Sequence, residues 1–323
     1  MPYRVLIDGG KEAGPGWSGS WSRSAAPPIV VSFGAGLDST ALLIGMAQQG
    51  IRPAAIVFAA VGDFRDLPEG CSMDDLLTIG KQSGDEHSYT YEHIVRFDEW
   101  LALNTDWECG ITVITYVHKT GRYAGLYGKC MANGTLPSIS YGGHSCSLTQ
   151  KGEIIDRWVR ESFTDAWQVE RYIGYDAGCK DKRRSKRTFK TTKDPRWVWK
   201  SPLQDWGWTR EDCEDVCRKA LGYVAEKSSC YFCAAKSLDE IIALGRDEPR
   251  LAYRCVQIEE AAQRTLREPE RGLSGPPRVG RKRKDGSWVS KPRPGRWTDI
   301  WRNEGLLDRI NTAGRRVGVS AET

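Results

Sequence analysis

The chain has no window approaching the run of about 18 apolar residues that a bilayer-spanning helix needs. Its first 28 residues are rich in Gly, Ser, Pro and Trp and contain no apolar core of an export signal. A cytoplasmic protein is therefore expected. In a reducing compartment ten cysteines point to a metal, a cluster, redox chemistry or plain burial rather than to disulfides. No Gly-Lys-Ser/Thr follows a glycine-rich turn and no G-x-G-x-x-G is present, which excludes a Walker A loop and a dinucleotide fingerprint. There is no internal repeat, and no cysteine follows Cys255.

The most informative stretch is Ile29 to Leu43. A β-branched run, Ile29 to Val31, reads as a buried strand entering a loop of small residues, Ser32 to Gly36, and then a helix that Asp38 or Ser39 can cap. Small residues let several backbone N–H groups approach one anion at a helix N-terminus, where the helix dipole also favours phosphate. The bland alternative is an ordinary strand-to-helix turn, in which Asp38 only caps.

Further strands are expected at 54–60, 111–117 and 169–175, with helices near 86–102, 122–133, 150–162, 209–221, 236–246, 249–266 and 298–312. Thr209 with Asp212 resembles a capping box. The stretch 63–84 reads as an inserted loop. This β-α-β order predicts an α/β fold with a doubly wound parallel sheet, followed by a helical, Cys-containing C-terminal part. The expected division is an irregular arm over 1–28, with Trp17 and Trp21 as anchors, and a nucleotide-binding domain over 29–204. A helical region over 205–267 and a basic linker with a closing helix over 268–323 follow. Ligands in such sheets sit at strand carboxyl ends, so Ser32–Gly36, Phe58–Gly62 and Gly174–Ala177 should converge.

Cys230-Tyr231-Phe232-Cys233 is a C-x-x-C pair, the spacing that lets one turn present two thiolates to a metal. Together with Cys130 and Cys146, which have 15 residues between them, it can hold either a [4Fe–4S] cluster or a structural zinc. Cys213 and Cys217 read as buried helix positions, and Cys71, Cys109, Cys179 and Cys255 are isolated. Residues 180–193 and 275–296 each carry eight Lys/Arg against one Asp. Such patches suit a nucleotide or nucleic acid, or are simply solvated loops. Trp197, Trp199, Trp206, Trp208, Trp288 and Trp297 lie in or beside them, as stacking surfaces or as core.

Gly34-Ala35-Gly36-Leu37-Asp38-Ser39 resembles the PP-loop of the ATP pyrophosphatase superfamily, usually written S-G-G-x-D-S, with Gly34 and Ala35 in place of the first Ser and Gly. Several further segments match the PAPS reductase-like branch (phosphoadenosine phosphosulfate reductase family) in order. They are Phe58-Ala59-Ala60-Val61-Gly62, Gly84 to His87 with Thr90-Tyr91-Glu92, Asn133 to Ser138, Cys146-Ser147 with Lys151, Ile173 to Ala177, Pro202-Leu203 and Cys230 to Cys233. The likeness spans about residues 29–262.

That resemblance implies an adenine nucleotide alpha hydrolase-like fold in which Ser32, Phe33, Gly34, Ala35, Gly36, Leu37, Asp38, Ser39 and Thr40 cradle phosphates. Phe58, Ala59 and Ala60 would read adenine through their backbone, and Gly174 would line the site. Asp38, Arg183 and Arg184 are the implied catalytic residues, Asp38 with Mg²⁺ and the arginines on oxyanions. Cys130, Cys146, Cys230 and Cys233 are the implied ligands of a [4Fe–4S] cluster, with zinc as the alternative. The cofactor is ATP or an adenylyl sulfate. Reduction of an adenylyl sulfate in that family needs a cysteine on the C-terminal tail, which this chain lacks. Adenylation of an acceptor with pyrophosphate release, for sulfur transfer to tRNA or DNA, is thus the expected activity. A sulfur-donor protein and an oligomer are compatible partners. The non-enzymatic alternative is a nucleotide sensor that binds nucleic acid and carries structural zinc.

Overall fold

A computed structural model describes residues 3–8, 26–143, 145–191 and 194–318. The chain forms two compact units, and each is discontinuous in sequence: Met1–Lys119 with Gln150–Ser228, and Thr120–Thr149 with Ser229–Thr323. The linear division expected from composition differs from this. Residues 120–149 leave the first unit and group with the C-terminal helices, because packing follows apolar faces rather than chain order.

The first unit is an α/β sheet of six strands: β1 (Tyr3–Ile7), β2 (Ile29–Phe33), β3 (Ala55–Ala60), β4 (Ile111–Tyr116), β5 (Val169–Ile173) and β6 (Trp197–Lys200). Their order is β1-β4-β3-β2-β5-β6, with all neighbours parallel except β1 against β4. All six residues of β3 are buried, as a central parallel strand covered on both faces requires. One face carries Val31, Phe33, Phe58 and Ile56 against helix α1 (Leu37–Gln48). The other carries Val30, Val57, Ala59 and Ile114 against Ile154, Ile155 and Val159. A mostly parallel sheet with helices on both faces is compatible with a doubly wound fold, whose switch point falls between β2 and β5.

Several expected elements are corrected. Residues 3–7 are not part of an irregular arm: Leu6 is buried and the segment completes the β4 edge as an antiparallel strand. Residues 9–25, with Trp17 and Trp21, lie outside the described residues. The inserted loop 63–84 contains helix α2 (Met73–Ser83), started by a reciprocal capping box between Ser72 and Asp75. It is followed by α3 (Ser88–Asn104). Helix α4 (Gly125–Asn133) belongs to the second unit and α5 (Glu153–Ser162) to the first. The basic run after Gly178 is helix α6 (Cys179–Thr191), and α7 (Arg210–Leu221) starts on the expected Thr209–Asp212 box.

The second unit packs α4, α8 (Leu238–Asp247), α9 (Pro249–Gln263), α10 (Trp297–Asn303) and α11 (Leu307–Gly318) around fully buried Trp297 and Trp301. The single closing helix expected over 298–312 is two helices, separated at Gly305 with φ +69°. Residues 268–297 are not a free linker. The buried Glu259 carboxylate accepts N–H bonds from Leu273 (2.9 Å), Trp297 (2.8 Å) and Thr298 (3.0 Å) and the Thr298 hydroxyl (2.7 Å). It therefore staples both ends of that segment to α9. Gly272 is required there, since a Cβ would stand 2.5 Å from Glu259 Oε1 and 2.3 Å from Arg296 Cα. Between those ends β7 (Arg281–Lys282) and β8 (Trp288–Ser290) form a two-stranded ribbon.

Burial pushes the Glu259 carboxyl up and its four donors pull it down. Replacing it with alanine strands three buried N–H groups at roughly 1–3 kcal/mol each. Glu259→Ala should accordingly lower the thermal midpoint by many degrees and accelerate hydrogen exchange at Leu273, Trp297 and Thr298. Unchanged protection at those amides would show that the staple carries no stability.

Candidate functional site

The loop leaving β2 is folded by its own helix. Ser39 Oγ accepts from the N–H groups of Gly34 (3.2 Å) and Gly36 (3.3 Å) and donates to the Gly36 carbonyl (3.1 Å). Ala35 sits in the left-handed region at φ 52°, a conformation that costs a non-glycine residue about 1–2 kcal/mol. Of the two expected caps, Ser39 takes the N–H of Gly36, the residue before the first helical residue Leu37, whereas Asp38 makes no capping bond. Thr40 N–H is the first in the helix to reach a carbonyl, that of Gly36. The N–H groups of Leu37, Asp38 and Ser39 therefore precede the intrahelical ladder, at the positive end of the dipole.

Two buried polar chains hold this loop. Thr40 Oγ1 donates to the Gly36 carbonyl (2.9 Å) and lies 2.8 Å from His93 Nε2, while His93 Nδ1 lies 3.0 Å from the Tyr223 hydroxyl. Burial lowers the His93 pKa to about 4, so the ring is neutral at physiological pH, with Nε2–H donating to Thr40 and Nδ1 accepting from Tyr223. On the other face Arg171, fully buried, donates to Ser32 Oγ (2.9 Å) and pairs with Asp156 (2.6 Å) opposite the rings of Trp197 and Trp199. Ser32 is therefore tied to the sheet's second face, where its hydroxyl supports the base of the loop.

The ends of β2 and β5 meet at the switch point. A Cβ on Gly174 would stand 2.7 Å from Asp38 C and Ser39 N, so only glycine lets β5 end against the first turn of α1. This contact brings Asp38, Asp176 and Asp181 together, each with a carboxylate oxygen within 4.8 Å of the others. Asp38 Oδ1 is buried without a hydrogen-bond partner. Burial and the neighbouring Asp176 raise the Asp38 pKa to about 6, against the lowering fields of Arg210 and Arg184. Arg184 pairs with Asp181 at 3.0 Å over the Tyr175 ring. Arg183, exposed like Arg184, donates instead to the Cys179 carbonyl, so the two candidate arginines differ in partner.

Asp176, Asp181 and Arg210 were missed by sequence reasoning. The available signals were Asp176 just past Gly174 and Asp181 as the lone acid in a basic run. The close approach of three acids is only partly offset by Arg184 and Arg210, and three carboxylates suit a hard cation such as Mg²⁺.

The end of β3 borders the same edge. The β2 register stops at Phe33 opposite Phe58, so the main chain at Ala59 and Ala60 runs on beyond β2. The side chains of Phe58, Ala59 and Ala60 are core, and the Ala60 carbonyl accepts from Thr115. Beside them Glu86, whose side chain is wholly buried, pairs with Lys151 at 2.6 Å, and Lys151 Nζ lies 5.8 Å from the Phe58 ring centre. Glu86 Oε2 has no partner. Ser228, which donates to Glu86 Oε1 at 3.4 Å, would stand 3.7 Å from a Cβ on Gly36.

Cys130, Cys146, Cys230 and Cys233 all belong to the second unit. Cys130 and Cys146 line one cavity of about 240 Å³ with Lys129, Ser138 and Tyr141. The C-x-x-C turn, closed by Cys233 N–H on the Cys230 carbonyl (3.1 Å), shares Arg254 with α4: its guanidinium lies 4.1 Å from the Tyr127 ring and 5.2 Å from the Tyr231 ring. Among the described residues no three of these sulfurs gather within 4.8 Å. Thiolates on one Zn²⁺, at ~2.3 Å each, would stand about 3.8 Å apart, so the arrangement does not fit a mononuclear zinc site. A cubane spreads its ligand sulfurs over four irons and is compatible with wider spacing.

Of the six tryptophans beside the basic patches, Trp197 and Trp297 are buried, and Trp206 and Trp208 pack against Gly45, where a Cβ would meet Trp206 at 2.5 Å. Trp199 faces Arg171. Trp288 alone of the six is exposed. Among the described residues no helix is long and apolar enough to cross a membrane.

No protein-family model, curated protein or solved structure matches the chain.

Asp38 and His93 act on stability with opposite signs. Asp38, raised from 3.8 to about 6, favours the fold below about pH 4 and loses that contribution as pH rises through 6. His93, lowered from 6.5 to about 4, favours the fold above pH 6.5 and loses that contribution as pH falls through 4. The two slopes offset in the wild type. Asp38→Asn should therefore steepen the loss of thermal midpoint on acidification and raise the midpoint at neutral pH. An unchanged pH profile in this variant would refute the burial assigned to Asp38.

Proposed function

We propose that the first unit is a PP-loop nucleotide site of the PAPS reductase-like kind, which binds ATP and transfers its adenylyl group to an acceptor. The observation that carries this reading is the orphaned, buried Asp38 Oδ1 beside Asp176 and Asp181, at the N-terminus of α1 and the sheet's switch point. Ligands of doubly wound sheets bind at such a point, outside the strands' carboxyl ends.

The N–H groups of Leu37, Asp38 and Ser39 face the anionic phosphates, with Arg184 and Arg210 supplying positive charge near the same carboxylates. Mg²⁺, held by Asp38, Asp176 and Asp181, would neutralise phosphate charge and polarise the phosphoryl oxygens. The main chain of Ala59 and Ala60 borders the place where adenine would lie. In the reaction an acceptor oxygen attacks the α-phosphorus, the bond from that phosphorus to the bridging oxygen breaks, and pyrophosphate leaves. A sulfur nucleophile then displaces AMP from the activated acceptor. The residues' task is to hold phosphates and acceptor in line, which supplies most of what phosphoryl transfer needs. The acceptor class we favour is nucleic acid, on the strength of the basic surfaces.

One observation favours the reductive reading. Cys179 is exposed at the first residue of α6, three residues from Asp176, where a sulfur-attacking thiol would be needed. The [4Fe–4S] cluster is proposed on Cys130, Cys146, Cys230 and Cys233 in the second unit.

With folding intact, Asp38→Asn should reduce pyrophosphate release from ATP at least about 100-fold, and Arg184→Ala should cost far more than Arg183→Ala. Sulfite release from adenylyl sulfate that needs Cys179, with no pyrophosphate release from ATP, would replace this reading with the reductive one. Anaerobically prepared protein should be brown, with absorption at about 400 nm that Cys230→Ser abolishes. A colourless, zinc-loaded protein would refute the cluster.

A further inference from the structure

The ribbon of residues 278–293 carries seven Lys/Arg and one acid, Asp285. That acid is occupied in shaping the turn: its Oδ1 accepts from Ser287 N–H (2.9 Å) and Ser287 Oγ (2.6 Å), beside Gly286 at φ +84°. Arg281, Lys282, Arg283 and Lys284 are all exposed. Val279 is 88% exposed and Trp288 41%. A two-stranded ribbon with no buried face is marginal on its own in water. This one is held at its base by the reciprocal bonds of Arg278 and Arg293 (2.8 and 2.9 Å) and, below them, by the Glu259 staple. The fold thus invests a buried carboxylate in presenting a basic, partly apolar ribbon to solvent.

We infer that this ribbon is a docking element for a single-stranded segment of nucleic acid, with its four consecutive cations on phosphates and Trp288 stacked on an unpaired base. Phosphates supply the dense negative charge that the cations match. An exposed tryptophan offers a π-face that a paired, stacked base cannot use. Lys282 Nζ, 4.7 Å from the Trp288 ring centre, puts a cation at the same place as the aromatic ring, the pairing that a nucleotide's phosphate and base require. The inference deepens the proposed activity by naming the element that would hold its acceptor, and it rests on that reading only for what the strand is held for.

The test is binding of a fluorescent single-stranded oligonucleotide of about 20 nucleotides, compared with its duplex and with phosphatidylserine-containing vesicles. Wild-type affinity should fall steeply between about 50 and 200 mM salt. Joint replacement of Arg281, Lys282, Arg283 and Lys284 by alanine should reduce the log–log salt slope by about 3. Trp288→Ala should weaken single-strand binding by about 10-fold without changing that slope, and Trp288→Phe should restore it. An unchanged slope in the quadruple variant overturns the inference, as does preference for duplex or vesicles. Both sets of variants lie on exposed residues outside the nucleotide site, so their pyrophosphate release from ATP with water as the acceptor should match wild type. If the wild type releases no pyrophosphate yet the ribbon-dependent binding is found, the activity proposed above fails and the docking element stands.

Discussion

Everything in the first unit depends on the approach of β5 to the first turn of α1. With Gly174 a Cβ's breadth from Asp38 and Ser39, the ends of two strands that diverge in connectivity are forced to share one edge. The approach has an electrostatic consequence, because it delivers Asp176 and Asp181 to a helix terminus that already carries Asp38. Burial penalises the Asp38 carboxylate and the neighbouring Asp176 repels it, which is why Asp38 holds its proton to about pH 6. A fold selected for stability alone would place an amide there. Strain of this kind, concentrated beside a left-handed Ala35, is characteristic of sites that bind something.

That tension is tolerable because the loop is over-determined by buried polar contacts on both sides of the sheet. Thr40, His93 and Tyr223 fix the Gly36 carbonyl from one face, and Arg171 with Asp156 fixes Ser32 from the other. A buried guanidinium pays a large desolvation cost, recovered through its carboxylate partner and the faces of Trp197 and Trp199. The second unit uses the same device once more, in Glu259, to give a chain segment rich in Pro, Gly and Arg two fixed ends.

Much of this was legible from the residue pattern. The strand–small-loop–helix signal at Ile29 to Gln48, the parallel strands and the Thr209–Asp212 box all follow from local periodicity and capping, and the observed elements agree. Local signals failed where long-range partners decide. Tyr3–Ile7, as short as β2 but broken by Arg4, exists as a strand through pairing with β4. The run after Gly178 looked like a solvated loop because its charges mask the helical period of Ser185 and Asp181, which are buried. Arg183 and Arg184 are adjacent, exposed and chemically identical; the 100° step of a helix alone sends one to the Cys179 carbonyl and the other to the Asp181 carboxylate.

The sequence by itself determined the class of fold, the strand-to-helix turn of small residues and the presence of a C-x-x-C pair beside two further cysteines, since each is written in spacing along the chain. Tertiary structure decided which acids join Asp38, that Ser32 serves the loop's foundation, that residues 120–149 group with the C-terminal helices, and that Trp288 alone of the six tryptophans beside the basic runs is exposed. The physical reason is common to all four. They depend on distances between segments far apart in sequence, and those distances are set by which apolar faces and buried charges find one another when the chain collapses.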